Sequence, residues 1–306
     1  MSNKYNVSVI IPVYNTEKYI SFAIESVLNQ TLDNIEIIII NDGSTDNSKS
    51  IIEKYENDNI TIINKKNEGS GVARNIGVSK ARGKYIFFLD SDDYLEKNAL
   101  KKMYDIAETH NIGIVKGSIV DVIKCFKKTN KLYSNKINEI IDFRKNNDLL
   151  IREGNIVCNK LIRKDLLNNL SFSTRLKWED LAIIVPLLIK AKKMYLLKDK
   201  TYYYRATIAN TTVSDFLKPN IKFLDIFKTI EHLFSNLKVT KYDNVYDNII
   251  KQIAILHITY RIENIFFWKI NKKIKKGLLG IFSKLTYLEY NNYYNNIIFI
   301  KNVNNN

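Results

Sequence analysis

Three carboxylates in four positions, Asp90, Asp92 and Asp93, close the apolar run 85–89 in "YIFFLDSDDYL". Acids spaced as D-x-D supply hard oxygen ligands, which suit Mg²⁺ or Mn²⁺ held by one or two protein groups together with water and the oxygens of a diphosphate. Asp90 and Asp92, with Ser91 between them, are therefore candidates for metal and ligand contacts. The competing reading has Asp90 capping the next helix and its neighbours in a solvated turn. Three further stretches carry polar groups of the same kind. Asp42 in "IIIINDGSTDNS" can accept the imide or ribose hydrogen bonds of a nucleotide, while Asp46 or Ser48 starts a helix. In "NEGSGVARNIG", Gly69 and Gly71 precede a helix whose early Arg74 can approach phosphates, and a helix N-terminus favours anions. In "KWEDLAIIVPLLIKA", Glu179 and Asp180 open an apolar helical segment, either as caps or as working carboxylates, and Trp178 is a sugar platform or a core residue.

Positioning these groups requires a particular scaffold. Apolar runs at 7–13, 36–40, 60–63 and 85–89 read as strands buried on both faces, with a further strand near 112–122. Between them Tyr19, Ile20, Ala23, Ile24, Val27 and Leu28 recur at helical spacing, as do Ile51, Ile52 and Tyr55. Strands alternating with helices predict an α/β fold with a mostly parallel, Rossmann-like sheet flanked by helices. In such sheets ligands bind beyond the carboxyl ends of the strands. The clusters "PVYN", "NDGSTD" and "DSDD" all follow strands and so converge on one rim. Residues 124–155 read as polar and helical without sheet, and beyond Lys218 amphipathic helices take over. The expected organisation is a catalytic domain over 1–218, its nucleotide-binding part at 1–123 and its acceptor part at 124–218, followed by a helical C-terminal extension at 219–306.

Composition narrows the partners. With 306 residues and 45% hydrophobic content the chain can bury a sizeable core. Forty-seven basic against 32 acidic residues give a net charge of +15, which favours an anionic partner. No zinc-finger, RRM-like or aromatic-basic pattern accompanies that charge, so no nucleic acid is expected. Cys125 and Cys158 are the only cysteines, and His110, His232 and His257 lack metal-ligand spacing, which argues against zinc and a disulfide framework. The apolar run at the N-terminus is short and broken by Pro12, and no stretch reaches the roughly 18–20 apolar residues of a membrane span. The expectation is a cytoplasmic protein, peripheral on the membrane.

Taken in order, "VSVIIPVYNTEKYISFAIESVLNQTLDNIEIIIINDGSTDNS", "NEGSGVARNIGVSKARGKYIFFLDSDD" and "WEDL" resemble the bacterial family 2 glycosyltransferases, inverting enzymes of the GT-A fold. The resemblance covers about 6–110, resumes at "NKLIRKDLL" and "WEDLAIIVPLLIKA", and continues weakly through "TYYYRATIANTTVS". It implies that Pro12, Val13, Tyr14 and Asn15 line the base and ribose of a nucleotide-sugar donor, a UDP-sugar, with Tyr14 stacking on uracil. It also implies that Asp42 contacts the base, that Arg74 lies nearby, and that Asp90, Ser91 and Asp92 meet ribose and Mn²⁺ or Mg²⁺. Glu17 falls at a position often acidic in the family. Asp180 would be the base that deprotonates a saccharide or lipid-linked acceptor, with Glu179 on acceptor hydroxyls. The chain departs from the pattern at Cys158, where many relatives carry tryptophan, and in having no histidine near "YYYR". Metal would then depend mainly on Asp92, phosphates and water, and Arg205 would begin a loop that closes on the donor.

Residues 221–306 hold 13 basic and 6 acidic residues, and Lys269, Lys272, Lys273, Lys275 and Lys276 share a helical stretch with Ile270, Ile274 and Leu278. Such a helix suits an anionic membrane surface, or packs on the catalytic domain or in a homo-oligomer. Other classes fit less well. A haloacid-dehalogenase-type phosphatase expects Thr or Val where Tyr94 stands, and an inactive nucleotide-sugar-binding scaffold would not need Asp42, Asp90, Asp92 and Asp180 together.

Overall fold

The computed structural model describes residues 4–122, 138–153, 156–176, 178–205, 225–240 and 242–266. Strands β1 (Tyr5–Val13), β2 (Ile35–Asp42), β3 (Ile60–Lys65) and β4 (Gly83–Phe88) pair in parallel in the order β3-β2-β1-β4. Helices α1 (Ile20–Leu28), α2 (Ser48–Ile52) and α3 (Ser70–Lys80) connect them. The expected βαβ array is thus present. In α1 the buried residues Ile20, Ala23, Ile24 and Val27 form one stripe, the period that buries a helix face on a sheet.

Beyond β4 the sheet becomes mixed. It continues through β8 (Lys160–Arg163), β6 (Ile114–Asp121), β9 (Lys193–Tyr204) and β5 (Tyr94–Leu95), with β7 (Glu139–Asp142) also on β9. Only β6 and β9 are parallel here, whereas β4–β8, β6–β8, β5–β9 and β7–β9 are antiparallel. Two expectations therefore change. Residues 124–155 were expected to hold no sheet, yet β7 lies among them; its Glu139 and Ile140 are exposed and only Ile141 is fully buried, so it gives no apolar run to read. Parallel pairing is confined to the first four strands and the β6–β9 pair.

Helices α4 (Ala99–Thr109), α5 (Leu149–Glu153) and α6 (Glu179–Ala191) complete this part, and α7 (Asp225–Thr240) and α8 (Asp247–Phe266) follow. Every residue of α6 from Leu181 to Ile189 is buried, because α7 packs along it while β9 lies nearby. Ile226, Ile230, Leu233 and Leu237 of α7 join the same core as β1 and β4. The lysine cluster 269–276 and the stretch 206–214 lie outside the described residues. Among those described, no helix is long and apolar enough to cross a membrane.

Local chemistry explains two unusual strand residues. Glu36 is buried in β2, but its carboxylate accepts from the Ser8 hydroxyl at 2.6 Å and from the backbone N–H and guanidinium of Arg82, so the charge is paired and hydrogen-bonded. Pro12 sits near the end of a central strand, where a missing N–H is normally costly. Ile10 turns its carbonyl toward β4, accepting from Leu89 N–H at 3.1 Å, and alternation turns Pro12 the same way. The β1–β4 register ends at the Ile10–Phe88 pair, so Pro12 forfeits no ladder bond. The sheet parts there, between the carboxyl ends of β1 and β4, which is where an open α/β sheet receives ligands.

Candidate functional site

Arg74 is the hub of the site. It projects from α3 and is 5% exposed. Its Nη2 donates to Asp90 Oδ1 at 2.9 Å, and its Nη1 donates to Glu179 Oε1 at 2.8 Å and Asp180 Oδ1 at 3.4 Å. The guanidinium lies 5.6 Å from the centroid of the Phe172 ring. Burial works against its charge, but Asp180, Asp90 and Glu179 outweigh that and hold its pKa well above the ordinary value. A buried arginine facing three carboxylates lets those carboxylates gather without mutual repulsion deciding the fold.

Backbone geometry brings the acids to it. Leu89 ends a fully buried run, and the chain then turns through Asp90–Asp93, closed by Asp93 N–H donating to Asp90 O at 3.1 Å. Neither candidate cap reading holds: α4 begins at Ala99, well past Asp90, and Glu179 and Asp180 are the first residues of α6, after Trp178. Trp178 adopts a left-handed backbone at φ 60°, which costs a bulky residue on the order of 1–3 kcal/mol and is characteristic of functional sites. The turn it makes aims the first turn of α6 at Arg74, and its ring packs, half-buried, against the core.

The approach of α3 to this turn requires Gly71. The helix was expected to start after Gly71 but starts at Ser70, so the glycine lies in its first turn. A Cβ there would lie 2.2 Å from the Ser173 carbonyl oxygen and 3.4 Å from Glu179 Cβ. Ser70 of the same turn donates its hydroxyl to Glu179 Oε1. Gly71→Ala is expected to cost about 1–3 kcal/mol of stability by forcing α3 off the 173–179 segment, read as a lowered urea midpoint.

Asp180 has one oxygen on Arg74 and the other, Oδ2, accepting from Val157 N–H at 3.1 Å. Burial is the largest influence on it, and with the charges of Glu179 and Asp90 it overrides Arg74 and Val157 to push the carboxyl up to about 6. The side chain still keeps 21% of its surface, so a ligand can reach it. Asp90 has Oδ1 on Arg74 and accepts the Cys158 thiol at Oδ2, 3.2 Å away. Cys158 thus stands beside the strand-end carboxylate. Burial first, then Asp90, raises its thiol well above the usual range, keeping it a neutral donor.

The other acids of the turn are held by β9. Asp93 is buried, accepting from the Tyr202 hydroxyl and Arg205 N–H, each at 2.7 Å. Burial, with Asp90 and Asp92 beside it, pushes its carboxyl up to about 8. Arg205 Nε donates to the Asp92 carbonyl at 3.2 Å while its guanidinium lies over Tyr19, Phe22 and Tyr94 at 5.0–5.6 Å. In the described residues Arg205 therefore braces the D-x-D turn. Ser91 is buried, and Asp92 is partly exposed.

Across the crevice, Pro12 and Val13 are buried at the end of β1, and Tyr14 emerges from it 48% exposed. Asn15 and Glu17 lash the loop after β1 to the loop after β2. Asn15 Oδ1 accepts from Thr45 N–H, Glu17 Oε2 accepts from Asn47 N–H, and Asp46 returns a bond from Glu17 N–H. Asp46 also accepts from Ser48 N–H at 2.9 Å, but the N-cap of α2 is Asn47, which lies between the two residues expected to cap it. Asp42 accepts from Lys65 and from the N–H groups of Glu68 and Gly69, which fixes the loop leading into α3.

Thus Asp90, Arg74, Glu179 and Asp180 meet directly, and Asp92 and Ser91 lie on the same turn. Pro12 to Glu17 and Asp42 form the opposite rim. Reading the sequence missed Ser70, Val157, Tyr202 and the bracing role of Asp93. The hydroxyls and a backbone N–H carry no motif of their own, and their partners lie 23–109 residues away.

Residues 8–171 match the model of "Glycosyl transferase family 2". The chain is 30% identical over 226 residues to glycosyltransferase GlyG of Streptococcus pneumoniae, an alignment covering 69% of this chain and 74% of GlyG. It is 34% identical over 233 residues to the minor teichoic acid biosynthesis protein GgaB of Bacillus subtilis, covering 72% of this chain and 25% of GgaB. Among solved structures, S. aureus TarS 1–349 in complex with UDP superposes with a TM-score of 0.68 at 22% identity, covering 89% of this chain and 78% of that one. That likeness concerns the fold alone, and it agrees with the GT-A architecture that the sequence resemblance implied.

Proposed function

The chain belongs to glycosyl transferase family 2, and we propose that it is an inverting enzyme moving a sugar from a UDP-sugar to a hydroxyl of a saccharide or lipid-linked acceptor. The setting would be a bacterial surface polysaccharide, lipopolysaccharide or glycoconjugate. The observation that carries this is Arg74, whose one guanidinium spans Asp90 on the donor side and Glu179 and Asp180 on the acceptor side. GgaB is a teichoic acid biosynthesis protein and TarS binds UDP, which supports a nucleotide-sugar donor and a phosphate-bearing acceptor. A net charge of +15 suits such an acceptor.

In this reading Tyr14 stacks on uracil, with Pro12, Val13 and Asn15 beside it and Asp42 on the base. Asp92, with Asp90, would hold Mn²⁺ or Mg²⁺, and the hard oxygens of the turn fit that ion. Asp90 also meets Arg74 and Cys158, so the two acids of the turn would share the work of holding the ion. When bound, the cation neutralises charge on the departing diphosphate. The acceptor hydroxyl hydrogen-bonds to a remaining lone pair of Asp180 and attacks the anomeric carbon opposite the bond to the diphosphate. That bond breaks with its electron pair on UDP, and the proton ends on Asp180. Glu179, fixed by Ser70 and Arg74, orients the acceptor.

The test is thermal stability with UDP, GDP, TDP and CMP, with and without Mn²⁺, for wild type and Asp92→Asn. At 100 times its dissociation constant a ligand adds about 2.7 kcal/mol, visible as a raised midpoint. We expect stabilisation by UDP that requires Mn²⁺ and disappears in Asp92→Asn. No response to any nucleotide at millimolar concentration would sink the donor assignment.

A further inference from the structure

Pro186 lies inside α6 and has no N–H, so the Ala182 carbonyl one turn earlier lacks its intrahelical donor. Water cannot easily replace that donor, because α6 is buried from Leu181 to Ile189. The missing donor comes from the C-terminal helix instead: Asn236 of α7, 4% exposed, donates Nδ2 to Ala182 O at 2.8 Å. The same amide nitrogen donates to Ser171 O at 2.8 Å, and Asn236 Oδ1 accepts from Ser171 N–H at 3.3 Å. His232, one turn earlier, also meets Ser171, with Nε2 2.9 Å from its carbonyl oxygen and 3.1 Å from its hydroxyl.

One of these backbones leads to the acid pair and the other to the support of Arg74. Ala182 is two residues beyond Asp180 in α6. Ser171 precedes Phe172, which exchanges two backbone hydrogen bonds with the Asn75 side chain at 2.8 and 3.0 Å and places its ring beneath Arg74. One side-chain amide therefore sets the spacing between the helix that carries Glu179 and Asp180 and the support of Arg74.

We propose that Asn236 is a positioning residue for the acid pair, recruited by the gap that Pro186 leaves in α6. The C-terminal helices then form part of the catalytic frame. The proposal rests on the reading of Asp180 as base. Its test uses the full chain as wild type, Asn236→Leu, Pro186→Ala and the double variant. Two readouts are taken: amide hydrogen exchange across 171–184, and UDP release from UDP-glucose, UDP-galactose and their N-acetylated forms with ribitol phosphate oligomers or water as acceptor. Asn236→Leu is expected to speed exchange in the first turns of α6 and to lower kcat at least tenfold, with the UDP-induced thermal shift unchanged. Pro186→Ala restores an N–H for Ala182 but not the two bonds to Ser171, so the double variant should regain slow exchange in α6 while kcat stays low. Should Asn236→Leu not fold, the isosteric Asn236→Asp, which keeps an acceptor for Ser171 N–H but no donor for the Ala182 and Ser171 carbonyls, is read in the same way.

Three results would overturn the proposal: unchanged exchange and kcat in Asn236→Leu, faster exchange with unchanged turnover per folded molecule, or no recovery of slow α6 exchange in the double variant. Wild-type turnover in Asp180→Asn would overturn the base assignment itself, and with it this role. That failure is distinguishable because it shows in Asp180→Asn with Asn236 intact.

Discussion

Asp180→Asn is expected to lose about 10²–10⁴-fold in kcat, the contribution of a positioned general base, while binding UDP as wild type does. The substitution is isosteric and leaves Asp90 and Asp92 untouched, so a loss of UDP binding would point to a misassembled site. The pH dependence follows from the carboxyl's raised value of about 6. Turnover of wild type should fall as pH drops through that value, about tenfold per unit once the base is mostly protonated. Stability has the opposite sign. A carboxyl whose folded pKa exceeds its unfolded one favours the fold below the unfolded value, and that advantage is lost as pH rises through about 6. Asp180→Asn, uncharged throughout, should therefore unfold no more readily than wild type at pH 7.5. A variant with wild-type kcat would remove Asp180 from the chemistry.

Arg74→Met is expected to be the most destabilising single change. Removing one partner of a buried ionic cluster costs about 3–5 kcal/mol, and here it leaves Asp90, Glu179 and Asp180 facing one another with no cation between them. Asp180, already at about 6 with Arg74 beside it, would then hold its proton to higher pH, so the deficit should shrink between pH 7.5 and pH 5. Arg74→Lys should recover only part of the loss. An ammonium is a point charge, and the observed contacts use two separate nitrogens of a planar fork. Urea unfolding at the two pH values decides this; an equal loss at both would show that the cluster matters by packing alone.

Much of the site could be read locally because its acids end recognisable elements. The run 85–89 is buried on both faces and announces β4, so the D-x-D turn after it falls on the ligand-binding rim. Glu179 and Asp180 precede nine buried residues, which announce α6. What stayed hidden depends on contacts distant in sequence. Strand β9 includes Lys193, Lys198 and Lys200, and its strand character comes from pairing with β6, β7 and β5. Pro186 was visible, but its meaning required knowing that Asn236 lies against the turn it opens, 54 residues from Ala182. Whether Arg74 meets Asp180, 106 residues away, is likewise a property of the whole fold.

The reciprocal ties among Asn15, Glu17, Thr45, Asp46 and Asn47 have a thermodynamic consequence for donor recognition. Each loop that must be immobilised on association subtracts ordering entropy from affinity, about 0.5–1.5 kcal/mol for every rotamer-rich side chain. Here the two loops beside Tyr14 are cross-linked before any nucleotide arrives, so that loss was already met during folding. In the proposed donor complex, affinity for the nucleoside moiety would then come from a small contact area, one exposed ring and a few polar atoms, and specificity among bases would become a matter of fit to a rigid rim.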